Sequence, residues 1–527
     1  MFLNSKPKVG LPEKLGRIAT VAVFVLLLLF LLPLACRSLW DTATIDMNNS
    51  VIERTGFEAD FLLFNLLALL GGIVALYLVR RLLRDVSFVP LLCFVLAVVG
   101  ALCVFYLVSA ASLPSADSYS VSYAAKQAAL GNYEPIGGVY FVYYPFQLGY
   151  VLFAEILIQI FRPFGSVDWY SGLLQGANVI FLLLAYAAVA DTVRRLFGED
   201  AGKICLVLCL LCLQPVPFSA FIYGNVPAFS LAVAAVWCWV MFSKSKNGWF
   251  AVGAALLFGL ATMLKMNCLI FTVAAALVSV VRALQTRRTG FLLLGLGIVV
   301  SSLFFQELPL WIYTARTGVT FGDGIPISAW LAMGMHETVR GNGWYDHSTV
   351  TIFESTGYDS AATSAIAMED LRQRISVFLE NPAYCQQFFT DKFLSQWNET
   401  SYQAIWNTQV RPHSYEMHTL AKWVCGDGEG TVKAYFDLYT QNLFWFSVLG
   451  CGYLVWKKRD MGDMCLYPLA LFGGMLYHLF WEAKSQYALT YLFLFLPLAA
   501  VGLYALFRFL DGAIPRVLAH ATGRKAE

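Results

Sequence analysis

The chain has 527 residues, of which 59% are hydrophobic and only 13% charged, whereas soluble globular domains carry about 25% charged residues. That balance excludes a soluble globule and implies a polytopic, all-α membrane protein. A formal net charge of +2 carries no nucleic-acid signature, because the basic residues sit in short clusters beside apolar runs rather than on one face.

Windows of about 20 apolar residues, the length a helix needs to cross the hydrocarbon core, recur along the chain. They fall near 17–36, 61–79, 88–109, 146–161, 169–190, 204–222, 225–243, 249–265, 267–281, 290–312, 439–456, 464–480 and 486–507, about thirteen spans in all. Lys6, Lys8, Lys14 and Arg17 precede the first run, which continues to Cys36 without a signal-peptidase site and reads as a retained span. The positive-inside rule places Arg80, Arg81, Arg84, Lys244, Lys246, Arg282, Arg287, Arg288, Lys457, Lys458, Arg459, Arg508 and Arg516 in the cytoplasm. Arg194 and Arg195 also belong there, which requires an even number of crossings between Pro145 and Ser171. The 146–161 run is short and carries Glu155, so re-entry and spanning are both open. The chain is thus divided into N-terminal spans over 1–109, an external loop over 110–147, a transmembrane core over 148–312, an extracytoplasmic insertion over 313–438 and C-terminal spans over 439–527.

The loop 112–147 is a polar island between apolar runs, with two carboxylates and six tyrosines. Val121, Ala124, Ala125 and Ala128 recur at helical spacing before Gly131 and Asn132, so a short helix begins near Asp117 and lies at the membrane surface. Asp117 has two readings here: an active-site carboxylate, or a cap for the helix that follows it.

Ionisable groups within or at the rim of apolar runs cost about 2.5–3.5 kcal/mol each and so mark functional candidates. Glu155, Lys265, Glu307, Glu482 and Lys484 qualify. Lys265 and the Glu482–Lys484 pair both fall at outer ends of spans, where a cation suits a phosphate, though an interfacial lysine also snorkels without function. Tyr223–Ala228, with Gly224, Asn225 and Pro227, reads as a helix break. Of twelve cysteines, ten lie in or beside apolar runs as small hydrophobes, leaving Cys385 and Cys425 as a pair that an oxidising compartment would join. No P-loop, G-x-S-x-G or H-E-x-x-H motif is present, which argues against direct use of a nucleotide donor.

ADSYSVSYAAKQAALGNY, GGVYFVYYPFQLGYVLF, YGNVP, LKMN, GWYD, KFLSQWNETSYQAIW and WEAKSQYALTYLFLFLPLAAVGL follow in this order from about Ala111 to Leu506. The series resembles bacterial integral-membrane glycosyltransferases of the GT-C superfamily, related to protein O-mannosyltransferases and the aminoarabinose transferase of lipid A. The resemblance implies a GT-C-type bundle, a sugar donor on a polyprenyl phosphate, and an acidic catalytic residue in the first large external loop, matched here by Asp117. Several relatives pair that acid, whereas this chain has Ser118, so a second carboxylate must come from elsewhere, with Glu134, Glu337 and Asp346 as candidates. The missing pair argues against a divalent metal, which wants several oxygen ligands, without closing that alternative. Gln486 stands where many relatives have arginine, and extra spans precede the catalytic loop.

The expected function is transfer of a sugar from the lipid-phosphate donor to a glycan, lipid or protein acceptor on the outer face of a bacterial plasma membrane, among membrane lipids and without nucleic acid. Asp117 is assigned as general base and Lys484 as the phosphate cation, with Glu482 beside it and Lys265 and Arg340 in support. Trp344, Tyr345, Trp397 and Trp406 are assigned as flat surfaces for sugar or isoprenoid. The alternative is a transporter or flippase of a lipid-linked saccharide.

Overall fold

The computed structural model describes residues 11–46, 53–457 and 462–521, so Lys6, Lys8, Lys458 and Arg459 lie outside the described residues. Every apolar window contains a helix, and eight of the described helices are long and apolar enough to cross a membrane by length and composition. Shorter helices occupy other windows, including Glu199–Leu211, Gly248–Leu264 and Leu466–Phe480. The last long helix, Ser485–Ala521, runs through the centre, with Leu489, Leu492, Phe495 and Leu496 wrapped by neighbours on all sides. A helix apolar all round is stable only when buried in this way or bathed in lipid.

The two ends of the bundle differ in chemistry. At one end Arg80 pairs with Asp200 at 2.9 Å and with Asp511 at 2.7 Å, and Arg282 pairs with Asp463 at 3.0 Å. Arg194 joins that end, its guanidinium 4.6 Å from the Phe88 ring. The opposite end gathers the 112–147 loop, the 313–438 segment and the turn around Glu482.

Helix Leu148–Phe161 lies along the loop helix Ala116–Ala129 and stays at that end of the bundle. Past its end Arg162 donates to Ala129 O at 3.3 Å, and Lys126 pairs with Asp168 at 2.9 Å, so the next helix, Tyr170–Phe197, starts on the same side. Its middle is held there too. Glu155, 1% exposed, accepts from Tyr313 Oη at 2.6 Å and Arg316 Nη1 at 2.8 Å, both on the last turns of Thr289–Thr317. Glu155 is therefore a satisfied structural ion pair, and Glu307 lies exposed on the helix Thr289–Thr317.

The apolar windows do not foretell one element. Between the first two long helices, Asp41–Asp46 and Arg54–Ala59 form an antiparallel hairpin with Asp41 opposite Ala59. Thr42, Thr44, Ile45, Thr55 and Phe57 supply the β-branched and aromatic residues that favour a pleated ribbon. The hairpin does not stand alone: Ala43 N donates to Asn398 O at 3.1 Å and Thr55 N to Arg340 O at 2.8 Å. It is docked on the 313–438 segment, which supplies six short or medium helices, from Ile327–Met333 to Thr419–Val424. Cys385 and Cys425 are both free thiols, the latter 3.7 Å from Tyr106 Oη, so the expected disulfide is not formed.

Candidate functional site

Asp117 is the second residue of the helix Ala116–Ala129, whose N-cap is Ser115, and its carboxylate makes no hydrogen bond or ion pair with the described residues. It is therefore not spent on capping. The preceding Ala116 has φ +48°, a left-handed conformation costing about 1–2 kcal/mol for a residue with a Cβ. That turn directs Asp117 into a concavity where water reaches it although protein surrounds it on nearly every side. Burial raises its carboxyl above the usual aspartate value, against the pull of Lys484, Lys265 and Arg411 in that order. One carboxylate thus faces three cations from three separate parts of the chain.

Each cation is placed by a local device. Lys265 follows the last residue of helix Gly248–Leu264, where the chain turns extended, and its ammonium lies 4.6 Å from the Tyr223 ring and 5.5 Å from the Tyr487 ring. Tyr223 belongs to the helix break at Gly224, and Gln147 bonds its hydroxyl. Lys484 lies in the turn between Leu466–Phe480 and Ser485–Ala521. That turn is tied to the insertion by Ala483 N donating to Gly343 O at 2.7 Å, which brings Tyr345 near Glu482. Arg411 sits on a loop joined to the strand-like lead into Asp117, with Leu113 N donating to Pro412 O at 2.8 Å and Ser414 N to Ala111 O at 2.9 Å.

Behind this front lies a second carboxylate. Glu53, 2% exposed, accepts from Lys484 Nζ at 3.0 Å, from Arg340 Nη1 at 3.1 Å and from Gln403 Nε2 at 3.1 Å. Lys484 and Arg340, expected as free phosphate cations, are thus both engaged by a residue that sequence reasoning missed. Its only sequence signal is position: a carboxylate in the polar stretch between the first two apolar runs, on the side of the catalytic loop. Arg411 was missed as well, being one basic residue in an ordinary-looking polar loop. Glu482, 7% exposed, accepts from Tyr487 Oη at 3.1 Å, and burial pushes its carboxyl up to about 7 against Lys484.

Other expected residues fall elsewhere. Trp397 is wholly buried, stacked on Phe393 and tilted against Tyr491, so it offers no face to a sugar; Trp344, 1% exposed, is core as well and donates to Ser395 Oγ at 3.1 Å. Trp406 stays at the site, with Lys484 Nζ 5.5 Å from its ring, and so does Tyr345, 5.9 Å from the Arg340 guanidinium. Neither Glu134 nor Glu337 nor Asp346 pairs with Asp117: the first two are exposed and Asp346 accepts from Ser348 N at 2.9 Å and Ser348 Oγ at 2.6 Å. Among the described residues no cluster of three His, Cys, Asp or Glu side chains is arranged around a common point. A carboxylate ringed by ammonium and guanidinium groups does not fit a divalent cation, which needs oxygen donors. What the arrangement does fit is an anion delivered next to a base.

Residues 151–306 match the family model described as dolichyl-phosphate-mannose-protein mannosyltransferase. No curated protein matches the chain. Among solved structures, the oligosaccharyltransferase AglB of Archaeoglobus fulgidus in complex with an inhibitory peptide and a dolichol-phosphate is 15% identical with a TM-score of 0.38. The apo form of the Archaeoglobus fulgidus oligosaccharyltransferase is 14% identical with a TM-score of 0.39. Each alignment covers 83% of this chain and 52% of the other, so the chain spans about half the length of these structures. The mannosyltransferase match, lying inside a predominantly helical polytopic chain, bears out the resemblance to the GT-C superfamily of membrane glycosyltransferases.

Proposed function

We propose that the protein transfers a sugar from a polyprenyl-phosphate donor to a hydroxyl of a cell-envelope glycan, lipid or protein, at the outer face of a bacterial plasma membrane. The observation that carries this reading is Asp117: a water-reachable carboxylate, unbonded among the described residues, with three cations around it. Asp117 takes the proton of the acceptor hydroxyl as its oxygen attacks the anomeric carbon. The bond from that carbon to the phosphate oxygen breaks and its electron pair leaves with the phosphate, so the anomeric centre inverts.

The leaving phosphate needs no proton, only charge compensation. Lys484 and Lys265 supply it. Arg340 acts one layer back, sharing Glu53 with Lys484 and so fixing the lysine's position. Trp406 beside Lys484 and Tyr345 beside Arg340 offer flat rings that suit a sugar.

Purified protein in vesicles, given a radiolabelled polyprenyl-phosphate sugar and an envelope extract as acceptor, tests the reading. Release of polyprenyl phosphate with label in the extract is the expected result. Movement of the labelled lipid across the bilayer without turnover would instead mark a flippase.

A further inference from the structure

Arg411 is 9% exposed, yet neither its Nε nor its Nη1 finds a hydrogen-bond partner among the described residues. Nη2 alone is used, donating to Asn407 Oδ1 at 3.2 Å. Buried guanidinium N–H groups left without partners cost free energy, and the oxygens of a phosphate are acceptors that would satisfy them. The Phe221 ring, 4.4 Å from the guanidinium carbon, backs its face.

Three further observations converge. The Phe221 ring against Arg411 stacks on the Tyr223 ring, which lies 4.6 Å from the Lys265 ammonium, so both cations flank one aromatic pair, and Asp117 acts electrostatically on each. Lys265 likewise has no ion pair among the described residues and rests between aromatic faces. Lys484 and Arg340, in contrast, are already partnered by Glu53. Placement of Arg411 is not accidental to a mobile loop, since Pro412 and Ser414 are zipped to Leu113 and Ala111.

We propose that Arg411 binds the phosphate of the lipid donor directly, completing with Lys265 an anion site in front of Asp117. The proposal rests on the transferase reading and adds to it a phosphate ligand from the insertion. Arginine supplies planar, directed N–H donors, whereas Lys265 supplies charge without fixed direction.

The test compares binding of undecaprenyl phosphate and of undecaprenol to the full chain in lipid nanodiscs. Wild-type protein is expected to prefer the phosphate. Arg411→Lys keeps the charge but loses the directed guanidinium donors, and its preference should fall about 10- to 100-fold, the worth of charge-assisted hydrogen bonds, while undecaprenol binding stays the same. Retained alcohol binding excludes misfolding as the cause. Should the lysine variant bind neither lipid, Arg411→Gln carries the same comparison. An undiminished phosphate preference in the variant that still binds undecaprenol overturns the role of Arg411. Absence of any preference in the wild type would instead bring down the transferase reading beneath it.

Discussion

Glu53 changes what Lys484 means. Taken alone, a lysine beside a glutamate in a polar turn looks like a free clamp, but here its ammonium is fixed by a buried carboxylate that also holds Arg340. Removing one partner of a buried pair is far worse when the partner left behind is uncompensated. Glu53→Ala strands two cations and should cost about 3–5 kcal/mol, seen as a lowered Tm in detergent. Lys484→Ala leaves Glu53 with Arg340 and should scarcely move Tm, while raising the apparent donor requirement by about 1.5–3 kcal/mol. Equal Tm losses in the two variants would show that Glu53 is not the hub. Glu482 adds a pH dependence. Its carboxyl, pushed up to about 7, is protonated on the acid side and ionised above, where its charge competes with phosphate for the cations. Donor KM should therefore rise as pH increases through about 7, and Glu482→Gln should flatten that rise. A rise that persists unchanged in Glu482→Gln would assign it to another group, Lys392 being the nearest candidate since burial holds its ammonium near 7.

At the scale of elements, the site depends on backbones that touch. A Cβ on Gly149 would sit 1.9 Å from Met263 O, and one on Gly224 would sit 2.2 Å from Leu264 O. These two glycines press the surface helix Leu148–Phe161 and the Tyr223 turn against the end of Gly248–Leu264, next to Lys265. Gly149→Ala must part them, at about 1–3 kcal/mol for overpacking. It should reduce transfer more than the neighbouring exposed change Ile156→Ala, compared by turnover at matched expression; equal activities would mean that the contact does not position Lys265. Helices were legible because an apolar run long enough to cross a bilayer announces itself, as did the loop helix through Val121, Ala124, Ala125 and Ala128. The hairpin was not, since its twelve paired residues form a ribbon only by docking on Asn398 and Arg340, more than 280 positions away.

For the whole molecule, distance along the chain decides what a sequence discloses. Asp117, Lys265, Glu482 and Lys484 stand out one by one, because each is a charge where apolar residues surround it. Glu53 and Arg411 do not, because their importance lies in partners 431 and 294 positions away: Lys484 for one and Asp117 for the other. Trp397 failed as an assignment for a related reason, since an aromatic in a motif looks the same whether it lines a cavity or fills a core. The bundle places 112–147, 313–438 and the Glu482 turn at one end and the Arg80, Arg194 and Arg282 clusters at the other. With the basic end in the cytoplasm, a cysteine introduced at Gly426 in a background without Cys425 should react with an impermeant thiol reagent in intact cells. Labelling only after lysis would invert the proposed orientation.

The account turns on Asp117 as the base, and the most direct measurement is transfer by Asp117→Asn in purified, well-folded protein. Asparagine keeps the size of the side chain, and no hydrogen bond of the carboxylate to the described residues is lost with the charge. It cannot accept a proton, so turnover should fall about 10²–10⁴-fold, with undecaprenyl phosphate binding retained or strengthened because a negative charge has left the anion site. Near-normal turnover in that variant would contradict the account.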